Sequence, residues 1–444
     1  MVLFYSPPKK VVSSQKTVKL QVHSVDAFGQ GIAHYQGKTV FIKNALPSEE
    51  VDAKLIEDKK QYAKAHVVKY YTKSEQRIAP QCQHYNVCGG CQMQHMSIDM
   101  QHAVKVEAFT TLFKKEASYS LAADDIKVIS SSPYHYRRRA RLAVMYENQR
   151  LVVGFRQQES NQIVDIKACP VLVNELEQLL LPLKNSLAAI KDKKALGHVE
   201  LIHVDSGTII VVRHVRPLSE KDTALLFTLA KNHHVSLYLH GTELVHVVGR
   251  QDHYYCIKQL KLTFSPLDFI QVNGEINLNM VEQAIAWLAL NQHDAVLDLF
   301  CGMGNFSLPM ATLCQYISGV EGVAELVEKA KLNATLNRSQ LSAQSHFYVS
   351  NLDNVDSQPT WYPEQINKVL LDPARPGAFQ VMDKIVERYP SHVVYISCNP
   401  STLVRDSKKL LQAGYTLAKA SVLDMFPQTK HIESMLLFIK SGTK

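Results

Sequence analysis

The residue with the strongest chemical claim is Cys398, in Ser397-Cys398-Asn399-Pro400, directly after the apolar run HVVYIS (392–397). Such a run reads as a buried strand, and a residue just past the carboxyl end of a strand in an open α/β sheet faces the crevice where ligands bind. A cysteine there has the thiolate chemistry of a nucleophile; its alternative fate is burial as a small apolar residue. A second constellation lies upstream. Asp298-Leu-Phe-Cys-Gly-Met-Gly-Asn-Phe306 follows the strand-like AVLDLF (295–300) and leads into a helical segment, so Gly302 and Gly304 form a tight first turn. The third glycine of a dinucleotide turn is missing, which suits S-adenosylmethionine, a nucleoside cofactor without phosphates, better than NAD. Glu321 ends the following strand, at the interval where an acidic side chain takes ribose hydroxyls. A third group is Cys82, Cys88 and Cys91, spaced C-x5-C-x2-C, with Cys169-Pro170 further along. Zinc ribbons usually offer two C-x2-C pairs, whereas three clustered cysteines plus a distant Cys-Pro favour iron-sulfur ligation. His84 and His95 are close enough in sequence to serve zinc instead. Cys256, Cys301 and Cys314 have no such grouping and read as packing residues.

These residues need elements to position them. From about residue 270, strands AVLDLF, YISGVE (316–321), VLLD (369–372) and HVVYIS alternate with helical segments, the pattern of a parallel α/β sheet. Asn273 caps a helix expected to run to about Asn291, with Ile276, Met280, Val281, Ala284 and Leu288 on its inner face. HIESMLLFIK (431–440) closes the chain. Upstream, strands at 139–146, 150–156, 199–204 and 208–214 and a helix at 172–190, with Leu172, Leu176, Leu179, Leu180 and Leu183 as its core stripe, read as mixed α+β. Residues 16–71 hold short alternating runs separated by turns, with lysines throughout, as in a small oligonucleotide-binding barrel. The expected fold is therefore multidomain α/β: an N-terminal OB-like β-barrel over 12–75, a mixed α+β central domain with the cysteine site over 76–265, and a C-terminal Rossmann-like domain over 266–444.

The net charge of +8 favours a polyanionic partner, and Arg137, Arg138, Arg139 and Arg141 concentrate it in HYRRRAR; a solvated strand edge is the plain alternative. The start, MVLFYSPPKK, lacks the layout of a signal peptide, and no apolar run is long enough for a membrane span. A cytoplasmic location is expected, where clustered cysteines are metal ligands or catalysts more often than disulfides.

The motifs LDLFCGMGNFS, LDPARPG (371–377), YISCNPSTLVRD (395–406) and DMFPQTKHIESMLLF (424–438) resemble those of the RNA uracil-5-methyltransferase family, along essentially the whole chain. FGQGIAHYQGKTVFIKNALPSEEV resembles the TRAM domain of RNA-modifying enzymes. With that barrel and the four cysteines, the chain is most similar to the branch of the family that acts on 23S rRNA; the tRNA branch lacks both features. The resemblance implies a class I SAM-methyltransferase domain that forms 5-methyluridine in 23S rRNA, at U1939. It implies that Cys398 is the nucleophile and Glu433 the base, and that Gln271, Phe300, Asn305, Glu321, Asn351 and Asp372 line the S-adenosylmethionine pocket. Gln271 would lie between cofactor and target base, and Asp372 would touch the base as well. It also implies a 4Fe-4S cluster on Cys82, Cys88, Cys91 and Cys169.

Reaction chemistry agrees with this assignment. Carbon 5 of uracil is a poor nucleophile until a thiolate adds at carbon 6, after which a base must remove the carbon 5 proton. A base stacked within folded RNA must also be extruded, and Phe269 is a candidate platform for it, against the alternative of a core phenylalanine. A monomer is the default expectation. Competing readings are a uracil-5-methyltransferase of another rRNA site or of tRNA, a ribosome-assembly factor that binds rRNA without catalysis, and an iron-sulfur redox enzyme using NAD, which the missing third glycine disfavours.

Overall fold

The computed structural model describes residues 16–354 and 359–440. The MVLFYSPPKK reading, the first residues of the 12–75 segment and the last of 266–444 lie outside them. The chain divides into two compact units. One comprises the residues up to Gln81 with Cys91–Ala108 and Gln428–Lys430; the other comprises Cys82–Gly90, Phe109–Pro427 and the residues from His431 onward. No helix among the described residues is long and apolar enough to cross a membrane.

The first unit is built on a six-stranded sheet in the order Thr17–Gln21, Glu50–Asp58, Tyr62–Tyr70, Lys38–Lys43, Gly31–Tyr35, Ser24–Val25. Every pairing is antiparallel except that of Lys38–Lys43 with Tyr62–Tyr70. The two-residue period of a strand sends alternate side chains to one face, and Val18, Leu20, Val40, Ile42, Val51, Ala53, Leu55, Ala63 and Ala65 make a single core there. The intervening lysines are left on the outside.

The second unit contains two large sheets. A seven-stranded sheet runs Ile163–Asp165, Arg150–Arg156, Arg139–Glu147, Leu196–Val204, Gly207–His214, Ser236–His240, Leu244–Val248. Its one parallel pair, Gly207–His214 with Ser236–His240, is joined through the helix Glu220–Asn232, as a parallel connection requires. The helix expected at 172–190 is two helices, Asn174–Glu177 and Leu180–Ala189. Pro182 explains the interruption: it has no N–H to bond back into a preceding turn, and it sits in the first turn of the second helix, where that donor is not needed. The leucine stripe is nevertheless buried as expected, from Leu172 to Leu183.

The eight-stranded sheet runs Gln344–Val349, Tyr316–Glu321, Ala295–Leu299, Lys368–Leu371, His392–Ser397, Glu433–Lys440, Tyr415–Leu423, Ile126–Ile129. The first five strands are parallel, and Glu433–Lys440 inserts antiparallel between His392–Ser397 and Tyr415–Leu423. The last strand, Ile126–Ile129, pairs in parallel with Tyr415–Leu423; its four residues carried too little pattern to be picked out in the sequence. From Ala295–Leu299 the chain moves outward to Tyr316–Glu321 and Gln344–Val349, then returns to the other side at Lys368–Leu371. That reversal makes a topological switch point, where open sheets of this kind bind ligands beyond the carboxyl ends of their strands. The helix Gly274–Leu288 is capped by Asn273, whose Oδ1 accepts from Ile276 N at 3.2 Å, and ends at Ala289 with φ of 47°, short of the Asn291 expected.

Candidate active site

Most of the expected site residues fall at one edge of the eight-stranded sheet. Phe300 follows the strand Ala295–Leu299, Glu321 ends Tyr316–Glu321, Asn351 lies just beyond Gln344–Val349, Asp372 follows Lys368–Leu371 and Cys398 follows His392–Ser397. Glu433 begins an antiparallel strand and therefore reaches the same edge from the opposite direction. Ser397 pairs with Ser434, so one further step of the register sets Cys398 opposite Glu433.

The cofactor side is organised by a constrained turn. Phe300 has φ of 63°, Gly302 55° and Gly304 99°. The left-handed region costs a residue with a Cβ about 1 to 2 kcal/mol, so glycines carry most of this turn and Phe300 is held there against its preference. Gly302 N donates to Glu321 Oε2 at 3.2 Å and Val323 N to Glu321 Oε1 at 3.1 Å, which orients that carboxylate beside the turn. Asn305 exchanges amide hydrogen bonds with Asn277 at 3.0 and 3.1 Å and accepts from the Tyr255 hydroxyl at 3.0 Å. Neither Asn277 nor Tyr255 was singled out in the sequence; Asn277 is a polar residue among the largely apolar inward positions of its helix, which was the available signal. Asn351 Oδ1 accepts from Asp353 N at 3.0 Å in a tight turn. Asp298, fully buried behind the glycine turn, accepts from Ser307 Oγ on one oxygen and has no partner on the other. Burial, with the charges of Asp372 and Glu321 nearby, pushes its pKa up to about 7 against the pull of Ser307.

The thiol side is a cluster of mutually repelling acids. Glu433 is buried, and burial followed by the charge of Asp372 raises its pKa well above the ordinary carboxylate range. Burial alone pushes Asp372 up to about 7. The Cys398 thiol is raised first by burial and then by Glu433 and Asp372, while Arg375 is the cation that pulls it down. Arg375 was not picked out in the sequence, although it stands three positions beyond Asp372 in the quoted LDPARPG motif. Its loop is fixed by the helix Pro400–Gln412: Asn399 Nδ2 and Thr402 Oγ1 donate to Arg375 O at 3.1 and 3.3 Å, and Arg405 Nη2 to Pro376 O at 2.8 Å.

Phe269 is 70% exposed, so it is not a core phenylalanine. The arginine run differs more from expectation. Arg139 is paired to Glu200 at 2.7 Å and to the carbonyls of Pro266 and Asp268, Arg137 donates to Arg139 O, and Arg138 is turned inward; only Arg141 is exposed. These guanidiniums fold the loops beneath the site more than they offer a polyanion surface. On the first unit, exposed aromatic rings do lie beside lysines: Tyr71 has Lys19 and Lys69 at 4.4 and 4.5 Å from its centroid, and Phe28 has Lys430 at 4.7 Å. Cations interleaved with aromatic faces suit single-stranded nucleic acid.

Cys82, Cys88 and Cys169 lie in the second unit and Cys91 in the first. The charge of Cys82 acts on Cys88, that of Glu177 acts on Cys82, and Glu177 Oε1 accepts from Cys169 N at 2.8 Å, so Glu177 is a shared neighbour of Cys82 and Cys169. Among the described residues no group of three or more His, Cys, Asp or Glu side chains is close enough to hold a metal ion. The donor chemistry of four cysteines fits a thiolate-bound group.

The electrostatics set a pH dependence. Alkylation of Cys398 by iodoacetamide, followed by peptide mass spectrometry, should accelerate with pH through an inflection above the ordinary thiol value of 9.0, because burial and two acids favour the protonated form. Arg375→Gln should move that inflection further up. An inflection near or below neutral pH would contradict the described environment.

The profile of the tRNA (Uracil-5-)-methyltransferase family matches residues 99–344 and 350–441, and that of the TRAM domain matches residues 14–68. The 23S rRNA (uracil(1939)-C(5))-methyltransferase RlmD of Pectobacterium carotovorum subsp. carotovorum (strain PC1) is 46% identical, with 100% of both chains covered. The protein of the same description from Yersinia enterocolitica is 47% identical, with 99% of both chains covered. Among solved structures, the Pyrococcus abyssi tRNA (uracil-54, C5)-methyltransferase in complex with S-adenosyl-L-homocysteine has a TM-score of 0.73 at 20% identity, over 95% of this chain and 100% of that one, and so shares the fold. With the profile covering most of its length and relatives this similar from end to end, the chain belongs to the tRNA (uracil-5-)-methyltransferase family and carries a TRAM domain at its N-terminus.

Proposed function

We propose that this chain is a 23S rRNA (uracil-C5)-methyltransferase that uses S-adenosylmethionine to form 5-methyluridine at U1939, through a covalent adduct of Cys398. The observation that carries the chemistry is the juxtaposition of Cys398 and Glu433 as register neighbours beside Asp372 at the switch-point edge of the sheet. The target rests on the whole-length similarity to relatives described as acting on uracil 1939 of 23S rRNA.

Gln271, Phe300, Asn305, Glu321, Asn351 and Asp372 would hold S-adenosylmethionine, which supplies an electrophilic methyl group on a sulfonium. Cys398, once ionised, adds through Sγ to carbon 6 of the uracil and makes carbon 5 enolate-like. After carbon 5 has gained the methyl group, Glu433 takes the carbon 5 proton; the C6–S bond breaks, the double bond re-forms and the thiolate is released. Burial that raises the pKa of Glu433 makes its carboxylate the stronger base when that proton must be removed. Phe269, exposed beside Gln271, would stack the extruded base, and the lysine-flanked rings of the first unit would bind neighbouring RNA. All eight of the catalytic and cofactor residues lie in one unit of one chain, so a monomer suffices for the reaction; a cytoplasmic location is proposed with the rRNA substrate. Functionally, residues 12–75 would bind RNA, 76–265 would carry the cluster and 266–444 the reaction, with Ile126–Ile129 lent by the middle segment to the catalytic sheet.

We further propose that Cys82, Cys88, Cys91 and Cys169 bind a 4Fe-4S cluster. Methyl transfer is redox-neutral, so the cluster's role would be structural. Protein purified without oxygen should contain about four iron and four sulfide per chain, and Cys88→Ser should lose most of both; stoichiometric zinc without sulfide would overturn the assignment.

The reaction is tested with unmodified 23S rRNA tritiated at uracil carbon 5. Wild type with S-adenosylmethionine should release tritium to water, and Cys398→Ala none. Glu433→Gln should lower release by about 100-fold or more, the range of a lost general base. Release from tRNA but not rRNA would move the substrate to tRNA, and no release from any RNA would leave a binding factor.

A further inference from the structure

Arg138 has a position that stability does not explain. Its Nε donates to Gln271 O at 2.8 Å, and its Nη1 lies against Gly274, where a Cβ would stand 3.1 Å away. Its Cζ sits 5.0 Å from the centroid of the buried Tyr255 ring, and the Tyr255 hydroxyl donates to Asn305 Oδ1. One guanidinium thus grips the loop that carries Gln271 and, through a single ring, the asparagine that ends the glycine turn. These are the two sides of the pocket. Its backbone is equally committed: Arg138 N donates to Val272 O and its carbonyl accepts from His203 N, each at 2.8 Å.

The fourth part of the side chain is unsatisfied. Nη2 is shielded from solvent and has no acceptor. Burial lowers the pKa of the guanidinium, and Tyr255 and Asp205 offset it in part. A buried polar donor without a partner costs about 1 to 3 kcal/mol, more when charged. That cost is set against the Nε hydrogen bond and the ring contact, so stability alone does not single out arginine here.

We propose that Arg138 is a positioning residue for the methyl transfer, fixing Gln271 and Asn305 at the separation S-adenosylmethionine requires. This rests on the reading of Gln271 and Asn305 as cofactor residues given above. It gives the buried member of the arginine run a role that is neither RNA contact nor stability. Glycine at 274 is part of the same arrangement, because any side chain there would crowd the guanidinium.

Three variants of the full-length protein separate the possibilities: Arg138→Met, Arg138→Lys and Tyr255→Phe. The measurements are melting temperature, affinity for S-adenosylhomocysteine by calorimetry without RNA, and KM for rRNA. Arg138→Met should stay folded, with its melting temperature within a few degrees of wild type, yet weaken S-adenosylhomocysteine binding about tenfold or more, the effect of one lost anchoring interaction. Arg138→Lys, which keeps the charge but not the fork, should not restore the affinity. Tyr255→Phe, which removes one hydroxyl, should weaken binding severalfold, and the KM for rRNA should change much less than the S-adenosylhomocysteine affinity in all three. Wild-type affinity in Arg138→Met and Tyr255→Phe would overturn the proposal, as would a loss of rRNA affinity as large as that for the cofactor. A wild-type protein that binds no S-adenosylhomocysteine would instead overturn the cofactor reading itself.

Discussion

The pairing of His392–Ser397 with Glu433–Lys440 is the constraint on which the site depends. Residues far apart in the chain become neighbours only because Ser397 pairs with Ser434, which sets a thiol at the end of one strand against a carboxyl at the start of the next. A slip of one residue would turn Cys398 and Glu433 to opposite faces of the sheet. The register is held by burial on both sides: Val393, Val394, Tyr395 and Ile396 on one strand and Met435, Leu436, Leu437 and Phe438 on the other have almost no exposed surface. The core of the sheet and the geometry of the chemistry are thus the same set of contacts.

That edge is also electrostatically unfinished. Asp298, Asp372 and Glu433 all have raised pKa values, and the main cause in each case is burial. Groups of like charge in a poorly solvated cleft favour their protonated forms, and they carry the Cys398 thiol with them. A cationic ligand relieves that repulsion, and a sulfonium placed among these acids would favour their ionised forms together with the thiolate. The exposed Arg375, held by three hydrogen bonds from the following segment to its loop, acts on the thiol in the same direction.

Much of this was legible in the sequence because strand ends carry the chemistry. Apolar runs such as HVVYIS and AVLDLF mark strands without help from tertiary context, and the residue that follows each is then a cleft residue. The glycines at 302 and 304 were legible for the same local reason, since their positive φ values are a backbone requirement. What escaped was decided by distant partners. The strand Ile126–Ile129 is defined only by Tyr415–Leu423 beside it. Arg137, Arg138 and Arg139 looked like a charged surface because charge is visible in a sequence, whereas the carbonyls of Gln271, Pro266 and Asp268 that absorb it are not. Pro182 is a different case: it was visible in the sequence, but the continuous leucine period masked the local break it makes between Asn174–Glu177 and Leu180–Ala189.

The central claim is a covalent bond between Cys398 and the target uracil, and the most direct measurement is to trap it. Fluorine at carbon 5 cannot be removed as a proton, so an rRNA fragment with 5-fluorouridine at the target position should stop the reaction after methyl transfer with the C6–S bond intact. The account predicts an RNA–protein adduct stable to denaturant, formed only with S-adenosylmethionine, whose nucleotide maps to the Cys398 peptide by mass spectrometry and which Cys398→Ala does not form. An adduct on another cysteine, or methylated fluorouridine released from wild type without any adduct, would contradict it.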